Sequence, residues 1–413
     1  MSILSRLPAA ALLLASPAFA ANTLTGDWGG ERSKLDAEGI HLTADYVSET
    51  MSNVHGGQER GTRYAQQVRL GARFDLAKLL GSPDAGVVQF TVNDRRGRST
   101  SADLVGNRLP AQEVYGGLYT RISELSYERT LFSPAFDVKA GYMAMGNDFG
   151  GMAILTDFVN AAFCAHPLSL SGGSGWTNYP SAHWGSEFKY RINADWRVQT
   201  AVFQVNPVTN SRSRYALRLS TTGTTGAILP VELVYDLHAS LPGQYKAGWY
   251  YDTSNTARID GSGKASNRHG AYLLADQMVW RNPSNDLQNL HVFGQATSAD
   301  AATSPFRHWY SAGLVLNAPF ASRPRDNLGF AWGRAVVNPR TRANQEAAAS
   351  AENAEAIDNL AGGEQVAELS YGAQLTDWLL VRPDVQYIAE PGAFYGEQTA
   401  NTWLAGVQLK VTF

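Results

Sequence analysis

Glu124 and Glu128 share one face of the segment Arg121 to Phe132, and a pair of carboxylates is what hydrolysis of a glycosidic bond uses. In an extended strand, four residues separate them by about 13 Å, too far for either glycosidase geometry. They read better as charge on the wall of a pore. Gly261-Ser262-Gly263-Lys264 hints at a phosphate loop, but Ala265 stands where a hydroxyl is required and Arg258 where an earlier glycine belongs. That stretch is expected to be a polar turn. Gly172 to Gly175 lacks nucleophile-elbow spacing, and the eight histidines show no His-x-x-x-His ligand spacing. The single cysteine, Cys164, excludes a disulfide framework and a multi-cysteine metal site, and reads as a small apolar packing residue. No cofactor is implied.

The elements that must position these residues are strands. Near the end of the chain, Trp403, Ala405, Val407, Leu409, Val411 and Phe413 are apolar, while Gln408, Lys410 and Thr412 between them are polar, and only Leu404 breaks the pattern. A period of two over such a length means a strand with one apolar and one polar face. The same alternation sets Val68, Leu70 and Ala72 against Gln67, Arg69 and Arg73, and Tyr215, Leu217 and Leu219 against Arg214, Arg218 and Ser220. It sets Val231, Leu233 and Tyr235 against Glu232 and Asp236, and Ala367, Leu369 and Tyr371 against Glu368 and Ser370. About 17 such segments recur, with aromatic residues near many strand ends.

Met1 to Ala20 carries a positive Arg6, an apolar run and Ala18-Phe19-Ala20, the pattern of a secretory signal peptide. The apolar run is shorter than the roughly 20 residues a spanning helix needs. Mean hydropathy of −0.24 excludes a bundle of membrane helices, and a net charge of −3 offers no basic surface for nucleic acid. An exported chain with alternating strands and aromatic ends predicts an all-β fold, a transmembrane antiparallel β-barrel. Residues 21–41 form a short segment with helical character over Arg32 to Glu38. The barrel occupies 42–413, and 338–363, rich in Ala, Asn and Glu, is a long extracellular loop with a short helix.

The inward faces then carry both signs of charge. Arg69, Arg73, Arg214, Arg218, Lys189, Lys246 and Arg382 stand against Glu124, Glu128, Glu187, Glu232, Asp236, Glu368 and Asp384. A phosphate pore would want a one-sided cationic ring, whereas a neutral polyol needs donors and acceptors together. Arg95, Arg96 and Arg98 either fold towards the lumen or form a solvated tip facing lipopolysaccharide phosphates. Trp176 is a candidate for stacking on a sugar ring or for packing. Trp184 shares a face with Phe188 and Tyr190, which favours a girdle or packing residue over a sugar contact.

The chain resembles the OprB-type carbohydrate-selective porins of Gram-negative outer membranes. The resemblance runs through LTGDWGGERSKL (Leu24 to Leu35), RISELSYERTLF (Arg121 to Phe132), GNDFGG (Gly146 to Gly151) and NYPSAHWGSEFKY (Asn178 to Tyr190). It continues through QYKAGWYYDTS (Gln244 to Ser254), RPRDNLGFAWG (Arg323 to Gly333), RPDVQYIAEPG (Arg382 to Gly392) and the final VTF. It implies about 16 strands, with 18 as the alternative, and facilitated diffusion of monosaccharides and small oligosaccharides through a polar constriction. It also implies contact with outer-membrane lipid and lipopolysaccharide, and recognition of Phe413 by the barrel-assembly machinery. Thr156 stands where similar proteins carry a second cysteine, so Cys164 has no intrachain partner. Two other functions remain open at this level. One is a general diffusion porin without sugar preference. The other is an outer-membrane barrel enzyme, which needs a Ser/His pair at one rim that cannot be assembled here.

Overall fold

The computed structural model describes residues 23–132, 135–163, 166–208, 217, 219–352, 360–397 and 399–413. Among these, sixteen strands close into one antiparallel barrel. The first half comprises β1 (Ile40–His55), β2 (Gly61–Asp75), β3 (Val87–Gly97), β4 (Tyr119–Leu131) and β5 (Phe136–Met143). It continues with β6 (His183–Arg191), β7 (Trp196–Val205), β8 (Gly226–Leu237) and β9 (Gly243–Asp252). A separate hairpin, β10 (Thr256–Ala257) and β11 (Lys264–Ala265), holds the Gly261 to Lys264 turn. The second half comprises β12 (Arg268–Asn282), β13 (Asn285–Ser298), β14 (Phe306–Asn317) and β15 (Asn327–Val337). β16 (Gly363–Gln374), β17 (Leu379–Ala389) and β18 (Thr402–Thr412) complete it, and β18 pairs with β1 from Asp45↔Thr412 to His55↔Trp403. Closure leaves no strand edge to face lipid.

One end of the barrel has the tighter connections, such as 132–135, 192–195, 283–284 and 375–378, and the other carries 98–118, 144–182 and 338–362. By the rule for outer-membrane barrels, the first end is periplasmic and the second extracellular. Connection 338–362 contains the helix Pro339–Glu352, in keeping with the composition of that stretch.

The alternation has the physical cause expected of it. Leu70, Leu233, Trp249, Leu273, Trp332, Leu369 and Trp403 are exposed on the outer face, while Glu49, Glu232, Glu368 and Gln386 are buried inside. Leu404, the break in the last strand, points inward and is fully buried. The strand expected over Tyr215 to Ser220 is corrected at the three of its residues that are described. Leu217 is an exposed turn residue in the connection between β7 and β8, and Leu219 and Ser220 are outside any strand. Arg214, Arg218 and Cys164 lie outside the described residues, as does Met1 to Ala20.

The helix Glu31–Glu38 precedes β1 and ends at Gly39, whose φ of +100° lies in the left-handed region that glycine reaches without a Cβ clash. Arg32 ties this segment to the far end of the chain. It donates to the main-chain oxygen of Phe413 at 2.6 Å and lies 4.5 Å over the Trp28 ring.

Candidate functional site at the lumen constriction

The connection 144–182 folds into the barrel because it is apolar where it meets the wall. Its Phe149, Leu155, Phe158, Phe163, Leu170 and Trp176 are buried with the inward-facing Phe203, Tyr250, Tyr272, Phe293 and Trp309 in one core. Ring centroids lie 5.6 Å apart for Phe158–Phe293 and 6.0 Å for Phe163–Trp309. Trp176 makes edge contacts at 5.8 Å with both Tyr250 and Tyr272. At 3% exposure it has no face left for a solute, so it is a packing residue rather than a stacking platform. The aromatic part of this core lies along β7 to β14, and its aliphatic part reaches Met51 on β1, Val366 on β16, Ile388 on β17 and Leu404 on β18.

Several of the charges that alternation turns inward hold this connection in place. A loop in the lumen carries main-chain N–H groups that must be satisfied, and wall carboxylates satisfy them. Glu368 accepts from Val159 N–H at 2.6 Å and Asn160 N–H at 2.9 Å. Glu232 accepts from Gly150 N–H at 2.7 Å and Tyr272 Oη at 2.8 Å. Asp252 takes Gly175 N–H at 2.7 Å. The second inserted connection, 98–118, is held the same way, with Glu364 taking Arg108 and Leu109 N–H and Glu49 taking Val114 N–H. Cations mirror the pattern. Lys246 donates to Gly151 O at 2.7 Å, and Arg382 donates to Thr156 O at 2.8 Å. Lys139 and Lys189 both pair with Asp148 on the loop. Burial opposes the charge of Asp148, but the two ammonium groups outweigh it and hold the carboxyl below the usual carboxylate range. Glu124 pairs with Lys139 at 2.9 Å and belongs to this bracing set.

Opposite the aromatic part of the core, β1 to β4 carry a run of polar side chains. Arg69 donates from Nε to Asp45 at 2.7 Å, and Arg95 donates from Nε to Gln67 at 2.7 Å. Arg95 also faces the Glu113 carboxylate at 3.7 Å and the Tyr179 ring at 6.0 Å. Asn93 donates to the Tyr179 hydroxyl, and Ser123 to Asn93 Oδ1 at 2.5 Å. Arg121 lies 3.6 Å over the Tyr119 ring and donates to Ser181 at 2.6 Å. Burial raises the Tyr179 phenol above its ordinary range, so it stays an O–H group across physiological pH. Arg69 is 42% exposed and Glu113 26%, whereas Arg95 is only 5% exposed. Arg69 and Glu113 therefore keep accessible surface, while Arg95 is enclosed behind them.

Of the residues singled out by sequence, Arg69 and Arg95 come together at Tyr179. Arg73 and Glu128 face the lumen nearer the periplasmic mouth, where neither makes a side-chain hydrogen bond among the described residues. Arg96 is a correction. It points to the outer face and pairs with Asp94 at 2.6 Å, since neighbours on a strand face opposite ways. Arg98 sits at the rim, 67% exposed and paired with Asp103. The sequence reading missed Asn93, Glu113, Arg121, Ser123 and Tyr179. A bulge shifts the register from Val92↔Ile122 to Thr91↔Glu124, so Arg121 and Glu124 both face inward despite their opposite parity.

Residues 59–413 match the family model for carbohydrate-selective porins of the OprB family. The chain is 33% identical to Porin B of Pseudomonas aeruginosa, over 97% of this chain and 93% of that one. It is 29% identical to the putative porin QuiX of Acinetobacter baylyi, over 94% and 93% of the two chains. The high-pH structure of Pseudomonas putida OprB superposes with a TM-score of 0.89 at 32% identity, covering 96% of this chain and all of that one.

Proposed function

Because the chain belongs to the OprB family of carbohydrate-selective porins, and so is a sugar porin of the Gram-negative outer membrane, we propose that its solute is recognised at the wall formed by Arg69, Arg95, Glu113 and Tyr179. The observation that carries this reading is the placement of fixed donors and acceptors together around the accessible Arg69 and Glu113, on the side of the barrel opposite the aromatic part of the inserted core. Arg69 supplies donors, Asp45, Glu113 and the Tyr179 oxygen supply acceptors, and the buried Arg95 holds Gln67 and Glu113 in place behind them. They replace the water around a sugar's hydroxyl groups. A planar guanidinium bridges two neighbouring hydroxyls, which a lysine ammonium does poorly. Conduction requires weak contacts, so binding near millimolar, about 4 kcal/mol, is expected.

Arg69→Lys keeps the charge beside Asp45 and removes the fork. Sugar block of single-channel current is expected to weaken roughly two- to tenfold, the worth of one hydrogen bond, with small-ion conductance nearly unchanged. Unaltered sugar block together with lowered thermal stability would show that Arg69 only braces the wall.

A further inference from the structure

We propose that a second solute station lies on the periplasmic side of the inserted loop, and that it takes the same class of solute, a polyhydroxylated ring. The inference rests on the sugar-porin reading above. A recess of about 250 Å³ lies between the loop segment Ala153–Asp157 and the wall strands β12 to β14. Its lining is Ala153, Ile154 and Val315 on the apolar side and Asp157, Asp276, His291 and Asn317 on the polar side. That division matches a sugar, which shows C–H groups on one surface and hydroxyls around its edge. A monosaccharide fits a recess of this size.

The polar groups are only half used. Asp276 receives or shares a hydrogen bond with His291 Nδ1 through Oδ1 at 2.8 Å, and among the described residues its Oδ2 has no partner. Asp157 engages Asn327 at 2.8 Å and Arg382 at 3.1 Å through Oδ1, again leaving Oδ2. Asn317 donates to Asn289 at 2.8 Å, which leaves its carbonyl oxygen to accept. These partners hold the side chains still and leave one oxygen of each able to accept, on residues that line the recess. The station is therefore acceptor-rich, where the Arg69 wall offers donors and acceptors together. A polyol can satisfy both in turn, donating its O–H groups to the carboxylates on the exit side after one of its oxygens has accepted from Arg69.

The station also explains two placements that bracing does not. Asp276 and His291 sit on adjacent strands and touch no residue of the inserted loop by hydrogen bond or ion pair. They are inward-facing polar groups on the wall whose Tyr272, Phe293 and Trp309 carry the aromatic core.

Current-noise analysis on channels of known orientation tests the proposal, with glucose added to one side at a time. Asp276→Asn keeps the size of the side chain and converts the free acceptor into a donor. Ala153→Phe fills the recess from an exposed loop position and leaves every hydrogen bond in place. Each is expected to weaken block by periplasmic-side sugar about fivefold, equivalent to one hydrogen bond, while the effect of Arg69→Lys on the channel persists. If both variants leave periplasmic-side block unchanged and Arg69→Lys still weakens block, the second station is refuted and the constriction stands. If the unaltered channel shows no sugar block from either side, the sugar-binding reading itself falls, and this station with it.

Discussion

Replacing Glu364 and Glu368 together by alanine is expected to open the channel. Glu368 caps Val159 and Asn160 of one inserted connection, and Glu364 caps Arg108 and Leu109 of the other. All four main-chain N–H groups lose their acceptor in the double variant. Each unsatisfied buried donor costs roughly 1–3 kcal/mol, so about 4–12 kcal/mol of the inserted state is removed if no water enters. Water that does enter reduces this cost by loosening the loops, which leads to the same observable. Single-channel conductance should rise, and the ratio of sugar to small-ion passage should fall. Isosteric Glu368→Gln keeps an acceptor oxygen and is expected to lie between the double variant and the unaltered channel. Unchanged conductance in a folded double variant would mean that the aromatic core alone holds the loops.

Leu273→Arg is expected to cost roughly 2–4 kcal/mol, the depth-dependent penalty for a cation on the lipid face near the midplane. Leu273 is 61% exposed on the outer face of β12, paired with Ala247 and Ala296 on its neighbours. Leu217→Arg provides the control. Its side chain is equally exposed, at 60%, but it belongs to a turn outside the strands, and there the same change should stay within about 0.5 kcal/mol. Urea titration of barrels refolded into lipid vesicles separates the two. Equal losses would contradict the placement of the membrane wall.

This contrast also shows where sequence reading succeeds and where it stops. Leu273 and Leu217 have the same hydropathy, and alternation around Tyr215 to Ser220 looks as regular as it does in true strands. Period two reports which way side chains would point if the backbone were extended; it does not report whether a neighbouring strand is there to pair. Where pairing exists, the facing was legible. Lys189, Lys246, Arg382, Glu187, Glu232, Glu368 and Asp384 all point inward as the pattern requires.

What those inward charges do was not legible, because it depends on a loop that crosses the lumen. Glu368 looks like pore lining in the sequence and proves to cap the main chain of a loop more than 200 residues away. Trp176 looks like a sugar platform until Tyr250 and Tyr272 close over it. Tyr179 carries no signal of its own, since its partner Asn93 lies 86 residues upstream. Arg69 could be read because strand parity turns it to the lumen, whereas Arg95 could not be told from Arg96 and Arg98 until the strand was seen to run on to Gly97.

The central claim is that the open wall of this barrel prefers sugars to other solutes of the same size. Liposome swelling measures it directly, with reconstituted protein and isotonic pairs of a monosaccharide and an uncharged amino acid of closely matched mass. The account predicts faster swelling in the sugar, and a smaller difference in Arg69→Lys. Equal swelling rates in the two solutes for the unaltered protein would contradict it and leave a general diffusion pore.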